Sequence, residues 1–178
     1  MSKEIIFNGK NAKDAFKKKE EKKRVIIDKW NIDSYYLKNQ KDLIRKIYMN
    51  YDCKGDEYKN YKNAEIIVKQ EIHKKMLGYK QQDIVKNKYV ENKLITEDEI
   101  IEKILESHMD CYYCKEEIKI LYEQVRDDKQ WTLDRIDNDI GHYTNNVVIC
   151  CLKCNLQRRR MDDEKFKFTK QLKLKKID

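Results

Sequence analysis

The stretch LDRIDNDIGHYTNNVVICCLKCN, residues 133–155, and the stretch CYYC at residues 111–114 decide the fold of this chain. The first stretch contains a C-x-x-C pair one residue before its end, and the second stretch is itself such a pair. The two pairs are separated by 36 residues. Four thiolates at this spacing fill the tetrahedral coordination of zinc and leave no open position, which is typical of a structural site. Iron binding and a coincidental spacing are the alternatives. The expected zinc ligands are Cys111, Cys114, Cys151 and Cys154.

The cellular compartment also bears on the cysteines. The sequence begins without a signal-peptide pattern, and its longest apolar run, residues 147–152, is far below the roughly 18 residues that a membrane span needs. We expect a soluble intracellular protein with no membrane partner. Disulfides do not persist in a reducing compartment, so the paired cysteines are better interpreted as zinc ligands. Cys53 and Cys150 lie outside the paired spacing, and we expect them to be ordinary thiols.

The charge distribution is more informative than the net charge of +8. Residues 1–110 carry 25 basic and 20 acidic groups, residues 111–155 carry 6 and 8, and residues 156–178 carry 9 and 4. A slightly acidic centre with basic flanks fits a metal-dependent site that acts on nucleic acid. The alternative is that the lysine-rich helices are simply solvated.

The N-terminal half has the pattern of a helical region. Residues 10–24 are almost devoid of apolar side chains and indicate a charged helix or a disordered arm. Apolar residues at helical spacing predict an amphipathic helix over 40–51. Residues 51–62 then resemble a connection, and a second apolar series predicts a helix over 66–77 that ends near Gly78.

The clearest helix signal precedes the first cysteine pair. Thr96 and Glu99 form a capping box, and Ile95 and Ile100 can form the hydrophobic staple that accompanies one. This helix delivers the chain to Cys111.

Strand patterns fill the segment between the cysteine pairs. Residues 131–134 alternate in the manner of a strand, residues 137–141 are typical of a turn, and residues 147–149 predict a second strand. Helix-forming residues follow from Asn155 onward. Asp134, at the end of the first strand, is therefore expected to face Asn155 across a small cleft.

The order C-x-x-C, L-D-R-I-D-N, G-H, N-V, C-x-x-C-N resembles the zinc-stapled HNH endonucleases of the ββα-metal (His-Me finger) superfamily, including phage members and relatives in large DNA viruses. The resemblance covers about residues 109–160. Residues 78–104, with the triplet QQD at 81–83, are similar to what precedes the first knuckle in some viral relatives. The implied fold class is α+β, with a zinc-stapled ββα-metal finger at the C-terminus preceded by a mostly α-helical region.

We accordingly expect four segments. Residues 1–60 would be a basic helical or partly disordered region, and residues 61–108 a helical region. Residues 109–161 would be the HNH module, and residues 162–178 a basic tail. The cytoplasm, the nucleus and a virion or virus factory are the compartments that this resemblance allows.

The resemblance also implies a second, catalytic metal. The strand-end aspartate of the family binds a divalent ion, usually Mg²⁺ or Mn²⁺, and here that residue is Asp134. The residue after the last zinc cysteine often completes the protein ligands, which here implies Asn155. Oxygen ligands with open water positions are what magnesium requires. The middle asparagine of the HNH pattern, which holds the active-site loop, corresponds to Asn146.

This chain departs from the family at the catalytic base. The histidine that usually follows the aspartate is replaced by Arg135, which stays protonated and cannot accept a proton. Arg135 can instead hold the scissile phosphate or stabilise its developing charge. His142 is the histidine inside the motif, and we take it as the candidate base, against the alternative of a loop histidine bonded to backbone. Asp137 is a weaker candidate for base or ion ligand.

The basic residues that follow the second knuckle suit a nucleic acid. Arg158, Arg159 and Arg160 continue the predicted helix and are the expected phosphate contacts. The lysine-rich tail after them is strand or helix by its pattern, and either binds phosphate or only aids solubility.

The sequence therefore predicts a metal-dependent HNH endonuclease that hydrolyses DNA phosphodiester bonds, with Zn²⁺ structural and Mg²⁺ or Mn²⁺ catalytic. The alternative is a catalytically inactive zinc-stapled protein that binds nucleic acid or serves as a scaffold. DNA is the expected partner, with RNA left open, and the chain is either a monomer or a homodimer.

Overall fold

The computed structural model describes residues 24–26, 30–52, 54–55 and 57–172 of the chain. The predicted arm over 10–24, apart from its last residue, lies outside the described residues, as do Cys53 and the end of the lysine-rich tail. Within the described part, no helix is both long enough and apolar enough to cross a membrane.

The described part is an α+β structure of six α-helices and a two-stranded antiparallel sheet. Its elements in chain order are α1 (Ser34–Lys38), α2 (Gln40–Tyr48), α3 (Glu57–Val85), α4 (Glu97–Glu106), β1 (Trp131–Arg135), β2 (Val147–Cys151), α5 (Leu152–Arg158) and α6 (Asp163–Gln171). The helical N-terminal region and the C-terminal strands match the coarse expectation from the sequence.

Helix α2 confirms the amphipathic pattern, whereas α3 is much longer than predicted. The predicted end near Gly78 is wrong, because α3 runs on to Val85. Gly78 is exposed in the middle of the helix, and an interior glycine costs only about 1 kcal/mol relative to alanine. A buried stripe that includes Val68 and Ile72 outweighs that cost by packing α3 onto the core. Sequence propensity at one position is therefore overridden by tertiary packing.

The capping box that starts α4 is confirmed. The Thr96 hydroxyl accepts the backbone N–H of Glu99 at 3.3 Å, and the Glu99 carboxylate accepts the backbone N–H of Thr96 at 2.8 Å. Ile95 and Ile100, the expected staple pair, are both buried. The chain then turns toward the first cysteine through His108, whose φ of 55° is in the left-handed region.

The two predicted strands are present, and they pair directly. Trp131 lies opposite Cys151, and Asp134 lies opposite Val148. Helix α5 begins at Leu152, before the predicted start at Asn155. The reason is a sulfur cap, since the Cys151 sulfur accepts the backbone N–H of Cys154 at 3.4 Å.

The described part of the C-terminal tail is helical. The side chain of Asp162 accepts the backbone N–H of Lys165 at 3.0 Å and caps α6. Phe166 is buried and packs α6 against the core. The strand alternative for this segment is therefore wrong up to Gln171.

One hydrophobic core joins the helical region to the C-terminal strands. Helix α4 packs on α2, α3 and β2, and the buried cluster runs from Trp30 to Phe166. The boundary expected at residue 60 falls inside α3. This shared core is what brings the C-terminal end of α3 to the residues of the motif.

Candidate functional site

The four cysteines of the two C-x-x-C pairs come together in one cluster. Their sulfur atoms all lie within 4.8 Å of one another, and the Cys114 and Cys151 sulfurs are 3.9 Å apart. A tetrahedral zinc ion with Zn–S bonds of about 2.3 Å separates its sulfurs by roughly 3.8 Å. The cluster is compatible with structural zinc.

Backbone hydrogen bonds hold the first knuckle in place and tie it to β2, the strand that ends at Cys151. The N–H of Cys111 donates to the carbonyl of Glu116 at 2.9 Å, and the N–H of Tyr112 donates to the carbonyl of Ile149 in β2 at 2.9 Å. The pairs 36 residues apart in sequence are thus tied to the same sheet. Cys150 is buried outside the cluster, with its sulfur 3.3 Å from the Thr132 hydroxyl, which agrees with an ordinary thiol.

Neighbouring thiolates in the cluster repel one another, so the charge on one cysteine changes the pKa of the next. Hydrogen bonds from Cys151 and Cys154 hold the pKa of the Cys111 thiol far below its usual range. The Cys111 thiolate in turn raises the pKa of the Cys154 thiol far above its usual range. A bound cation removes this conflict, because four thiolates can share its positive charge.

A cleft of about 620 Å³ lies between the end of α3, the strand β1 and the start of α5. It is lined by residues that the sequence singles out, namely Asp134, Arg135, His142, Asn155, Arg159 and Arg160, together with Tyr79, Gln82, Lys86, Lys88, Thr132, Leu133, Asn138 and Leu152. Residues from four separate stretches of chain therefore share one concave surface.

Asp134 is held in a buried ion pair with Arg158. The Arg158 guanidinium donates to both carboxylate oxygens, at 3.0 Å from Nη2 to Oδ1, and Tyr113 donates its hydroxyl to Oδ2 at 2.7 Å. Burial disfavours the charge on Arg158, but the hydrogen bond to the Asp134 carboxylate and the attraction of its charge outweigh this effect and raise the pKa of Arg158. Arg158 is only 1% exposed. The expectation that Arg158 contacts nucleic acid is therefore corrected: its guanidinium is committed to Asp134.

His142 is held by a carboxylate from the helical region. Asp83, in the last turns of α3, accepts the backbone N–H of His142 at 2.6 Å, and its other oxygen is 2.8 Å from the ring Nδ1. The Tyr79 ring lies against the imidazole with centroids 4.6 Å apart. Burial lowers the pKa of His142 below its usual 6.5, and the opposing effect of Asp83 is smaller. His142 is thus neutral near pH 7.

The loop that carries His142 is fixed by Asn146. Its side-chain N–H group donates to the carbonyls of Asp137 at 2.9 Å and Gly141 at 3.0 Å, and its oxygen accepts the Asp137 N–H at 2.9 Å. These contacts are those of a residue that holds the loop. The Asp137 carboxylate accepts the N–H of Asp139, which is a turn contact and not one directed into the cleft.

Arg135 points toward the same loop. Its Nη1 donates to the carbonyl of Ile140 at 3.3 Å and lies 3.7 Å from the Asp83 carboxylate. Its side chain is 11% exposed, and it contributes to the cleft wall beside His142.

The side-chain amide of Asn155 is fixed by two hydrogen bonds to β1. Its Nδ2 donates to the Thr132 hydroxyl and to the Leu133 carbonyl, each at 3.1 Å, which fixes the amide and leaves Oδ1 as an acceptor. Asp134 Oδ1, which takes the Arg158 Nη2 bond, retains a second lone pair. Asp134 and Asn155 thus offer oxygen donors, which are the type of ligand that Mg²⁺ prefers.

The mouth of the cleft is basic. Arg160 is 83% exposed, and both Arg160 and Lys88 lie near the same oxygen of Asp139, at 3.8 and 3.7 Å. Arg159 and Lys86 are also exposed. The pair of Arg160 with Asp139 is exposed on both sides, and such pairs are weak, so Arg160 is available to a polyanion.

The sequence gives Asp83 no role of its own, although this residue belongs to the QQD triplet at 81–83. Tyr79 and Asp83 are four residues apart, and this spacing predicts that they lie on the same face of a helix. The sequence does not tell which residues meet that face. Comparisons of the chain with protein-family models, with curated proteins and with solved structures find no significant match. The chemistry of the cluster and the cleft is therefore the basis for inferring a function.

Proposed function

We propose that this chain is a metal-dependent endonuclease of the HNH type that hydrolyses phosphodiester bonds of DNA. One observation carries the proposal: four residues chosen from the motif for three roles, Asp134, Arg135, His142 and Asn155, line a single cleft with a basic mouth. A coincidental motif gives no reason for its members to converge.

Each metal has its own site in this proposal. The cysteine cluster binds structural zinc, whose binding free energy in small sites of this kind, about 10–16 kcal/mol, exceeds the stability of most domains. Asp134 and Asn155 hold Mg²⁺ or Mn²⁺, which when bound would stabilise negative charge on the phosphate. The two sites meet at α5, whose first turn supplies both Cys154 and Asn155.

The protein groups divide the remaining work. His142 presents a neutral imidazole to the cleft and accepts the proton of the attacking water. Arg135 offers its guanidinium to the scissile phosphate, and a charge-assisted bond of this kind strengthens as charge develops. Arg159 and Arg160 contact neighbouring phosphates and fix the register of the strand without reading its sequence.

The test is nicking of supercoiled plasmid by the zinc-loaded protein in Mg²⁺ or Mn²⁺. We expect His142→Ala to lower the rate by about 10²–10⁴-fold, the usual contribution of a general base. His73→Ala is the matched control, because His73 is a half-exposed histidine on α3 paired with Glu97. Equal nicking by the two variants would refute the role of His142, and absence of nicking in any divalent ion would refute the nuclease.

Binding is measured separately on the same DNA. We expect Arg160→Gln to weaken binding and to reduce the dependence of log affinity on log salt, by about 0.9 for each phosphate that the variant no longer neutralises. Lys41→Gln, a change at an exposed lysine of α2, supplies the control. A salt-independent affinity would count against nucleic acid as the partner.

A second candidate function is a nucleic-acid-binding module without catalysis. The ion pair of Asp134 with Arg158 favours it, because the carboxylate proposed to hold the ion is already neutralised by a buried cation. Salt-dependent binding together with no cleavage in Mg²⁺ or Mn²⁺ would support this function over the first.

A further inference from the structure

The contact between α3 and the His142 loop is a buried polar contact at the cleft. Asp83 has no exposed surface, and His142 is 3% exposed. Both oxygens of one carboxylate serve the same residue, one through the backbone N–H at 2.6 Å and one through the ring Nδ1 at 2.8 Å. Burying a carboxylate is costly unless it is paired and hydrogen-bonded, so this arrangement is maintained by specific contacts.

The packing around the pair leaves little room for another arrangement. A Cβ at Gly141 would lie 2.8 Å from the Asp83 carboxylate and 2.7 Å from the Lys88 carbonyl, so only glycine lets the loop approach this closely. The Tyr79 ring covers one face of the imidazole, and the Tyr79 hydroxyl accepts the N–H of Leu133 in β1. Helix α3 thus touches both the strand and the loop that form the cleft.

The chemistry of the contact selects one tautomer of the ring. An ionised carboxylate can only accept hydrogen bonds, so the Nδ1 that faces Asp83 must carry the proton. In the neutral imidazole the lone pair is then on Nε2, the nitrogen that is not held by Asp83. A general base needs this lone pair on the side of the substrate.

We infer that Asp83 is a positioning residue that holds His142 as the Nδ1–H tautomer with the Nε2 lone pair available to the cleft, so that α3 completes the site. This inference rests on the proposed function for the use that is made of His142. It gives the helical region a role in the site itself, in addition to any DNA contacts it makes. The finger over 109–161 would lack this residue.

Charged groups from each neighbouring element bear on the pH dependence. Burial lowers the pKa of His142, Asp83 raises it by less, and Arg135 on β1 and Lys86 just after α3 lower it further. Loss of the Asp83 charge should therefore lower this pKa further while also releasing the tautomer.

Two measurements on the zinc-loaded full chain test the inference. The first is the ¹⁵N chemical-shift pattern of the ring nitrogens, which reports the tautomer of each of the three histidines at neutral pH. We expect the Nδ1–H form for His142 in the wild type and its loss in Asp83→Asn, whose amide can donate to Nδ1. An Nε2–H form in the wild type overturns the inference. This result is obtained on the wild-type protein and does not depend on whether Asp83→Asn folds.

The second measurement is the nicking rate of Asp83→Asn, alone and combined with His142→Ala. We expect Asp83→Asn to lower kcat by about a hundredfold or more with little change in DNA affinity, and to have no further effect when His142 is absent. Asp98→Asn makes the same chemical change at an exposed position of α4 and should retain full activity. Additive losses in the double variant overturn the inference, because a purely structural role acts independently of the imidazole.

The two proposals fail in distinguishable ways. If the tautomer is as expected but no divalent ion supports nicking, the positioning of His142 stands and the nuclease is refuted. If nicking occurs and depends on His142 but not on Asp83, the nuclease stands and the positioning role is refuted.

Discussion

Replacing Arg158 with methionine separates a structural arginine from a nucleic-acid contact. The wild-type guanidinium bonds both oxygens of Asp134 and the carbonyls of Arg135 and Met161. Methionine fills much of the same volume but leaves a buried carboxylate, on a residue only 7% exposed, with the Tyr113 hydroxyl as its one side-chain donor among the described residues. Removing one partner of a buried ion pair typically costs about 3–5 kcal/mol.

We expect the lower end of that range here. Asp134 lines the cleft, so water reaches part of its carboxylate, and Met161 is itself exposed, so its carbonyl can be hydrated. A cost of about 3 kcal/mol is roughly a hundredfold change in the folding equilibrium. With a urea dependence of about 2 kcal/mol per molar, the unfolding midpoint should fall by about 1.5 M.

The assay is urea unfolding of the zinc-loaded protein, followed by circular dichroism and tryptophan fluorescence. Arg160→Met is the matched control, since its side chain is 83% exposed and such changes usually stay within about 0.5 kcal/mol. Adding Asp134→Asn to Arg158→Met should recover stability by removing the unpaired charge, with a coupling of about 1 kcal/mol or more. If Arg158→Met costs no more than Arg160→Met, then Arg158 is not committed to the fold and belongs again among the phosphate contacts.

The remaining predictions concern the zinc cluster, two glycines and pH. Cys154→Ser should release zinc and unfold the C-terminal part, and a soluble, zinc-free variant with unchanged circular dichroism would contradict this. Gly141→Ala should weaken nicking and stability because its Cβ meets atoms at 2.7–2.8 Å, whereas Gly78→Ala, with nothing within 4 Å, should stabilise α3 by about 0.5–1 kcal/mol in thermal or urea unfolding. Because the folded-state pKa of His142 lies below 6.5, the unfolded chain binds a proton first as pH falls, so stability is full above pH 6.5 and declines below it. Urea midpoints at about pH 7.5 and about pH 5.5, on either side of that value, should show a smaller difference in His142→Asn than in the wild type.

Local signals in the sequence predict local structure well in this chain. The capping box, the strand alternation and the C-x-x-C spacing each depend on residues close in sequence, and the corresponding elements are present in the structure. The helix end predicted near Gly78 is wrong because it depends on contacts that are distant in sequence. A glycine is a weak helix breaker, and the core contacts that override it come from α2 and α4, which the local pattern does not include.

The same distinction applies to the candidate site. The motif predicts Asp134, His142 and Asn155 as members of one site, and they line one cleft. The partners that set their chemistry are Arg158 and Asp83, and both depend on tertiary packing. Three adjacent arginines give no indication of which one turns inward, and Asp83 is 59 residues from the histidine that it contacts. Composition identifies the charged residues but not which of them are paired.

The pairing of charges in the cleft implies an order of binding. Asp134 is neutralised by Arg158, and Asp83 faces both His142 and Arg135, while Arg159, Arg160 and Lys86 stand at the mouth. A divalent cation that enters the cleft without DNA is repelled by the positive side chains at the mouth. A bound phosphodiester adds negative charge, which attracts the cation. We therefore expect Mn²⁺ to bind the cleft weakly without DNA and at least about tenfold more tightly with a cleavage-resistant phosphorothioate duplex. Because such coupling is reciprocal, Mn²⁺ should tighten DNA binding by the same factor, and calorimetry of both titrations on zinc-loaded protein measures it. Equal Mn²⁺ affinity with and without DNA would mean that the Asp134 carboxylate is not shielded by Arg158, and that the site holds its ion on the protein ligands alone.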